Sequence, residues 1–233
     1  MGESVRIYNA SMIAEDGTLL QGIEIMVREG IIESVGPAVG KPAAGKDEPQ
    51  AIRQYDAAGH LVYPGLINTH THSAMTLFRS YADDLPLMEW LQKKIWPVEA
   101  HLDPEDVYWG TMLATVEMLR SGTTCCCDMY LHMQSAAEAF EASGMRAVVA
   151  QGLFSFLPDP AAALQESVEF CRRWNGAAGG RISTLLAPHA PYTCHAEYLK
   201  EIAAAGRSEG IGLHTHLSES KAEVEQSYAE HGV

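Results

Sequence analysis

The sequence predicts an α/β protein, a parallel sheet covered by helices and preceded by a small unit built only of strands. Three observations carry this. From residue 61 onward, five short apolar runs are each followed by a stretch of helical periodicity. Residues 1–60 show strand-like alternation and turn signals but no helical stretch. The polar, reactive side chains of the second region fall at the C-terminal ends of its strands: His70 and His72, Asp128, Gln151, His189, then His214, His216 and Glu219. The pattern fits a barrel, which builds its site at that end, or a doubly wound sheet. No G-x-G-x-x-G follows the first of these strands, which removes support for a dinucleotide-binding version.

Taken in order, residues 5–8 and 23–27 alternate as strands do, with turn signals at Glu15-Asp16-Gly17 and Arg28-Glu29-Gly30. Further short strands are expected at 31–35 and 51–55, separated by a Pro/Gly/Ala/Lys loop over 36–46. Residues 1–60 thus read as a small antiparallel β unit. The second region, 61–233, opens with an apolar run that turns at Pro64-Gly65 and continues to His72. Helices are expected over 86–100 and 104–120, the second capped by Asp103, with Pro104 in its first turn, and stopped by Ser121-Gly122. Then come a buried strand over 123–129, a helix over 135–143 ended by Gly144, and a strand over 146–152. A helix over 160–174, a strand over 181–190, a helix over 196–208, a strand over 210–217 and a helix over 220–230 complete the alternation.

Bulk composition bounds the function. With 233 residues, 47% hydrophobic and 20% charged, the chain can bury a large core and is neither disordered nor fibrous. Sixteen basic and 30 acidic residues give a net charge of −14, which repels polyphosphate and excludes nucleic acid and anionic membrane as expected partners. Residues 1–25 lack a basic segment followed by an apolar one, and no apolar run reaches the ~18 residues of a membrane span, so the chain reads as cytoplasmic. Its five cysteines, three of them consecutive at Cys125, Cys126 and Cys127, are not a disulfide framework. They lack C-x-x-C spacing and read as packing in a buried strand.

The chemistry concentrates in two H-x-H pairs. On a strand, His70 and His72 point to one face, and so do His214 and His216. A catalytic metal site needs three or four N/O ligands with one position left open for water, and His70, His72 and His216 supply three. Glu219, just past the strand end, is then placed to move protons. His214 reads as packing or as support for a ligand. His60, His101 and His231 read as surface residues, and Met75, Met88 and Met112 as core.

The runs PGLINTHTHSAMTLFRSYADDLPLMEWL, SGTTCCCDMY, LAPHAPYTC and LHTHLSES together resemble the amidohydrolase superfamily, in particular its 5-methylthioadenosine/S-adenosylhomocysteine deaminase branch. That resemblance implies a (β/α)8 TIM-like barrel, of which about five βα units lie in residues 61–233, and a small β-sandwich domain to which residues 1–60 contribute. It also implies one divalent metal on His70, His72 and His216, zinc by default with iron, manganese or nickel as alternatives. By the same likeness Glu219 would carry a proton to a purine ring nitrogen and Glu99 would hold ribose hydroxyls. His189 would contact the substrate, and Trp90 would border the nucleoside pocket.

Three departures from the family pattern shape expectations. Relatives that bind the amino-acid tail of S-adenosylhomocysteine carry an arginine near the end of the third strand, where this chain has Gln151; an amide does not replace a guanidinium fork, which favours the methylthio substrate. The strand over 181–190 holds no lysine, so a carboxylated-lysine bridge between two metals is not expected. The family pattern further needs a histidine on a sixth strand and an aspartate on an eighth, and the sequence stops at Val233. We therefore expect one piece of a larger protein, inactive alone, completed by a second chain or a lost segment, with a homo-oligomer open. The implied reaction is hydrolytic deamination of a purine nucleoside. Deamination or dechlorination of another N-heterocycle such as guanine or a triazine, and a non-catalytic relative, are the alternatives, with Glu99 favouring a ribose-bearing substrate.

Overall fold

Period-two alternation builds the first sheet. The computed structural model describes residues 4–37 and 52–232, and the chain divides into two units, Met1–Pro64 and Gly65–Val233. In the first, β1 (Val5–Ile13), β2 (Leu19–Arg28), β3 (Ile31–Pro37) and β4 (Arg53–Asp56) form one sheet in the order β3-β2-β1-β4. The β1–β2 turn sits where Glu15-Asp16-Gly17 predicts it, with Asp16 Oδ1 accepting the Thr18 N–H at 2.9 Å. One face buries Ala10, Ile23, Ile25 and Ala57. The antiparallel expectation holds for β1–β2 and β2–β3 but not for β4, which runs parallel to β1. A parallel neighbour needs a crossover longer than a hairpin turn, and most of the loop expected over 36–46 lies outside the described residues. A second layer of the expected sandwich is not found among the described residues.

The second unit is a curled, all-parallel sheet. Its strands β5 (Leu66–Thr71), β6 (Thr123–Tyr130), β7 (Arg146–Leu153) and β8 (Ile182–Thr184) lie side by side in that order, with β9 (Ala187–Pro188) also on β7. The strand expected over 181–190 is thus interrupted. Its two pieces pair with β7 in one continuous register, Ile182 opposite Ala147 and Ala187 opposite Gly152. Between them, Leu186 bonds away from β7, donating to Gly212 and accepting from His214. The strand expected over 210–217 is also corrected: the segment is extended, but only Leu213 bridges a neighbour. Bonded on one side and at few positions, it forms no ladder, something an apolar pattern alone cannot reveal.

Helices cover the outer face. The helix expected over 86–100 is three pieces, α1 (Leu87–Trp90), a π-helical turn (Leu91–Ile95) and α2 (Trp96–Glu99). Pro97 has no N–H to give the fourth carbonyl back, and the wider turn precedes it. Helix α3 (Pro104–Arg120) starts with a reciprocal cap in which Asp103 accepts the Asp106 N–H and Asp106 accepts that of Asp103. Next come α4 (Met133–Ser143), α5 (Pro160–Trp174) capped by Asp159, a short turn α6 (Ala177–Gly180), α7 (Ala196–Glu209) and α8 (Lys221–His231) capped by Ser220. His195, not a usual cap, accepts the Tyr198 N–H through Nδ1 at the start of α7.

The main core lies between this sheet and its helices. Cys126, Ala147, Val149 and Ile182 pack with Val107, Ala114, Met133 and Phe140. Phe140 is fully buried, and its removal to Ala would cost ~3–5 kcal/mol. The opposite, inner face carries Met129, Ala150 and Ala187. Met88, expected in the core, is 43% exposed. Among the described residues, no helix is long and apolar enough to cross a membrane.

Candidate active site

The strand ends of the second unit bring three imidazoles together. His70 lies one residue before the end of β5 and His72 just past it, while His216 lies in the extended segment after α7. One ring nitrogen from each lies within 4.8 Å of those of the other two. Second bonds orient two of the rings. His72 Nδ1 lies 2.5 Å from the Met129 carbonyl and His216 Nδ1 lies 2.9 Å from the His189 carbonyl. A carbonyl only accepts, so both Nδ1 atoms carry hydrogen and both Nε2 atoms present lone pairs. These two Nε2 atoms face each other at 3.2 Å.

Two acceptors at that distance repel unless a cation or a proton lies between them. Protonation is disfavoured, because burial, with His216 and His70 adding to it, holds His72 down at about 4. The donor set therefore fits a transition-metal ion on Nε2 atoms with Nδ1–H tied to carbonyls, the usual support of metal-bound histidine.

Beside the triad lies a cavity open to solvent. His72, His189, His216, Glu99, Glu219, Trp90 and Met75 line it, together with Trp96, Tyr130, Phe154 and Tyr192. The π-helical turn and α2 deliver Trp96 and Glu99 to one wall. Burial pushes the Glu99 carboxyl up, opposed by a hydrogen bond from Tyr130 Oη to its Oε1 at 2.7 Å. His189 stacks on Phe154 with ring centroids 4.8 Å apart, and burial, reinforced by His216 and His72, lowers it to about 3, so the ring is neutral. Glu219 is exposed, and its Oε2 accepts from Tyr192 Oη at 2.7 Å.

Most of the residues singled out in the sequence meet here, but Gln151 does not line this cavity. Along β7, Ala150 belongs to the inner face whereas Ala147 and Val149 pack outward under the helices. Gln151 shares the outward parity, and Gly152 and Phe154 line the cavity instead. The parity was readable from the sequence once Val149 was assigned to the core. His214 sits against Cys127, its Nδ1 3.5 Å from Sγ, outside the cavity lining. Tyr130 and Tyr192 were missed, although each follows a strand-end residue that the sequence marks.

Asp128 occupies the end of β6 behind His72 and is fully buried. Its Oδ1 accepts the Ser73 N–H at 2.8 Å, while Oδ2 has no partner among the described residues. Burial raises its carboxyl to about 7 against that bond. Together Asp128 and Met129 grip the consecutive pair His72-Ser73 and so fix where the His72 ring stands.

Comparison with known proteins finds relatives along nearly the whole chain. A 5-methylthioadenosine/S-adenosylhomocysteine deaminase from Desulforudis audaxviator is 50% identical over 226 residues, 97% of this chain and 51% of that protein. A 5'-deoxyadenosine deaminase from Methanosarcina mazei is 46% identical over 219 residues, covering 93% of this chain and 49% of its own length. The chain thus spans about half the length of these curated relatives. The crystal structure of an adenosine deaminase from Xanthomonas campestris with bound zinc superposes with a TM-score of 0.82 at 33% identity, over 100% of this chain and 54% of that one. The model of the amidohydrolase family matches residues 61–233, and by that match and these relatives the chain belongs to the amidohydrolase family.

Proposed function

We propose that the protein carrying this chain is a metal-dependent hydrolytic deaminase of adenosine-type nucleosides. The single observation that carries the reading is the convergence of His70, His72 and His216, two of them with opposed Nε2 lone pairs, beside a cavity that also holds Glu99, His189 and Glu219. His70, His72 and His216 would hold one divalent cation. Zinc is the default for a nitrogen-rich site. Bound there, such an ion supplies Lewis acidity that brings the pKa of water from 15.7 towards ~7.

The chain's own side chains then do the rest. As water adds its oxygen to C6 of the purine, Glu219 takes up the proton that the water releases and hands it to the adjacent ring nitrogen; the tetrahedral carbon then expels the exocyclic amine, which leaves as ammonia with the second proton of the water. Such general acid-base steps contribute about 10²–10⁴-fold. Glu99, held by Tyr130, accepts from ribose hydroxyls on the opposite wall. Neutral His189, stacked on Phe154, offers the heterocycle a planar and polar neighbour. Trp90, Trp96 and Met75 shield the site from water. Among the described residues the lining contains no lysine or arginine, which on this chain's side of the site favours an uncharged 5' substituent, as in 5'-methylthioadenosine, over the amino-acid tail of S-adenosylhomocysteine. Support from the relatives lies in their names, which describe deaminases of this substrate class.

An ammonia-release assay on the complete protein tests this against 5'-methylthioadenosine, S-adenosylhomocysteine, adenosine and guanine. Release from the nucleosides but not from guanine is expected. Ammonia from guanine alone would replace this reading with that of a nucleobase deaminase.

A further inference from the structure

Glu219 is an exposed carboxylate on a flexible side chain, yet the proposed chemistry needs one oxygen at a fixed place. Its backbone is set from behind: Glu223 accepts the Ser218 N–H at 3.1 Å and the Glu219 N–H at 2.8 Å. Ser218 adopts φ of 57°, a left-handed conformation that a non-glycine residue takes at a cost and that these two bonds hold. Nothing in that arrangement reaches the Glu219 carboxylate.

The side chain is set from across the cavity, where Tyr192 Oη donates to Oε2 at 2.7 Å. The donor itself is well anchored. Tyr192 lies in the turn after β9, closed by Thr193 and Cys194 N–H groups on the Ala190 carbonyl at 3.1 and 2.9 Å. Cys194 Sγ ties the same turn to the Leu153 carbonyl. The Tyr192 ring stands edge-on to His189, with centroids 5.8 Å apart at 87°. Its phenol stays protonated, since burial raises it and the bond to Glu219 adds to that.

We propose that Tyr192 is a positioning residue whose hydroxyl fixes Oε2 of Glu219, so that Oε1 is the oxygen that takes up and delivers the proton. This rests on the proton-carrier role of Glu219. Tyr192 keeps its own proton throughout and touches no reacting atom. Without the hydroxyl, the carboxylate samples several rotamers, and a misplacement of about 1 Å is enough to cost an enzyme up to about 10²-fold.

The test is a double-mutant cycle in the complete, metal-loaded protein, with Tyr192→Phe, Glu219→Gln and both together. The expected result for Tyr192→Phe is a kcat lower by about tenfold, with KM, metal content and urea midpoint unchanged. In the Glu219→Gln background the same change should have no further effect. A Tyr192→Phe enzyme with normal kcat overturns the proposal. So does a loss that multiplies with that of Glu219→Gln, or one traced to lost metal or lost stability. If Glu219→Gln alone keeps normal kcat, the proton-carrier reading fails first. If Glu219→Gln is inactive while Tyr192→Phe is normal, only the role of Tyr192 fails.

Discussion

Tyr130 Oη donates to Glu99 Oε1 across 2.7 Å, and the pair joins the end of β6 to α2. Burial raises the Glu99 carboxyl and this bond lowers it, so the bond keeps Glu99 ionised to a lower pH than burial alone would allow. Removing the hydroxyl must therefore move Glu99 titration upward. For Tyr130→Phe we expect KM for the nucleoside to exceed the parent value most at the acid end of the pH range and to approach it as pH rises. Steady-state kinetics across that range check it; a KM ratio independent of pH would refute the link.

Glu219→Gln should leave the metal content intact and lower kcat by about 10²–10⁴-fold, because the residue moves a proton and is not a ligand. Metal analysis beside kcat decides. A variant that lost its metal would make Glu219 a ligand instead.

The opposed Nε2 atoms of His72 and His216 predict a sharp division among the histidines. His72→Ala and His216→Ala should each abolish stoichiometric zinc, and adding zinc should raise the melting temperature of the parent but not of these variants. His214→Ala should keep its metal, since His214 rests on Cys127 and bonds to none of the triad. Zinc analysis and thermal denaturation with and without zinc check all three.

Asp128 predicts a pH dependence of stability. Its carboxyl titrates at about 7 in the fold against 3.8 ordinarily. Between those values the folded chain retains a proton that the unfolded chain has released, so stability falls as pH rises through this window and levels off above it. Asn at this position can still accept the Ser73 N–H and does not titrate. Urea denaturation of Asp128→Asn should therefore show an advantage over the parent that grows from pH 4 to pH 7 and then stays constant.

Gly110 brings α3 close against the 3-10 turn Ser73–Phe78 that follows His72. A Cβ there would stand 2.8 Å from the Ala74 carbonyl oxygen and 3.0 Å from its Cα. Alanine gains ~1 kcal/mol in helix propensity, but the obstructing atoms are backbone and cannot swing aside. Overpacking costs ~1–3 kcal/mol, so Gly110→Ala should be a net loss, read as a lower urea midpoint.

The convergence of His70, His72 and His216 and the place of Glu219 beside them were legible because their signal is geometric. H-x-H in extended backbone sets both rings on one face even where no full ladder forms, and a carboxylate three residues on falls just past such a segment. The alternation of strands and helices was legible for the same reason, and Asp103, Asp159, Gly144 and Ser220 mark helix ends by their own chemistry. What stayed hidden depends on partners distant in sequence. Tyr130 and Tyr192 look like any core aromatic until Glu99 and Glu219 are brought to them. The direction of β4 depends on a crossover, not on the strand's residues. The failed ladder at 210–217 depends on what lies beside it, and the apolar pattern there is the same with or without a neighbour.

The π-helical turn Leu91–Ile95 holds one more residue than an α-turn would. The wider turn takes up that extra residue within itself, so the helix on either side keeps its phase. Deleting one residue there would leave a regular α-helical turn with Trp96 and Glu99 still on the face they share, so this wall can change in length by one residue without losing its lining.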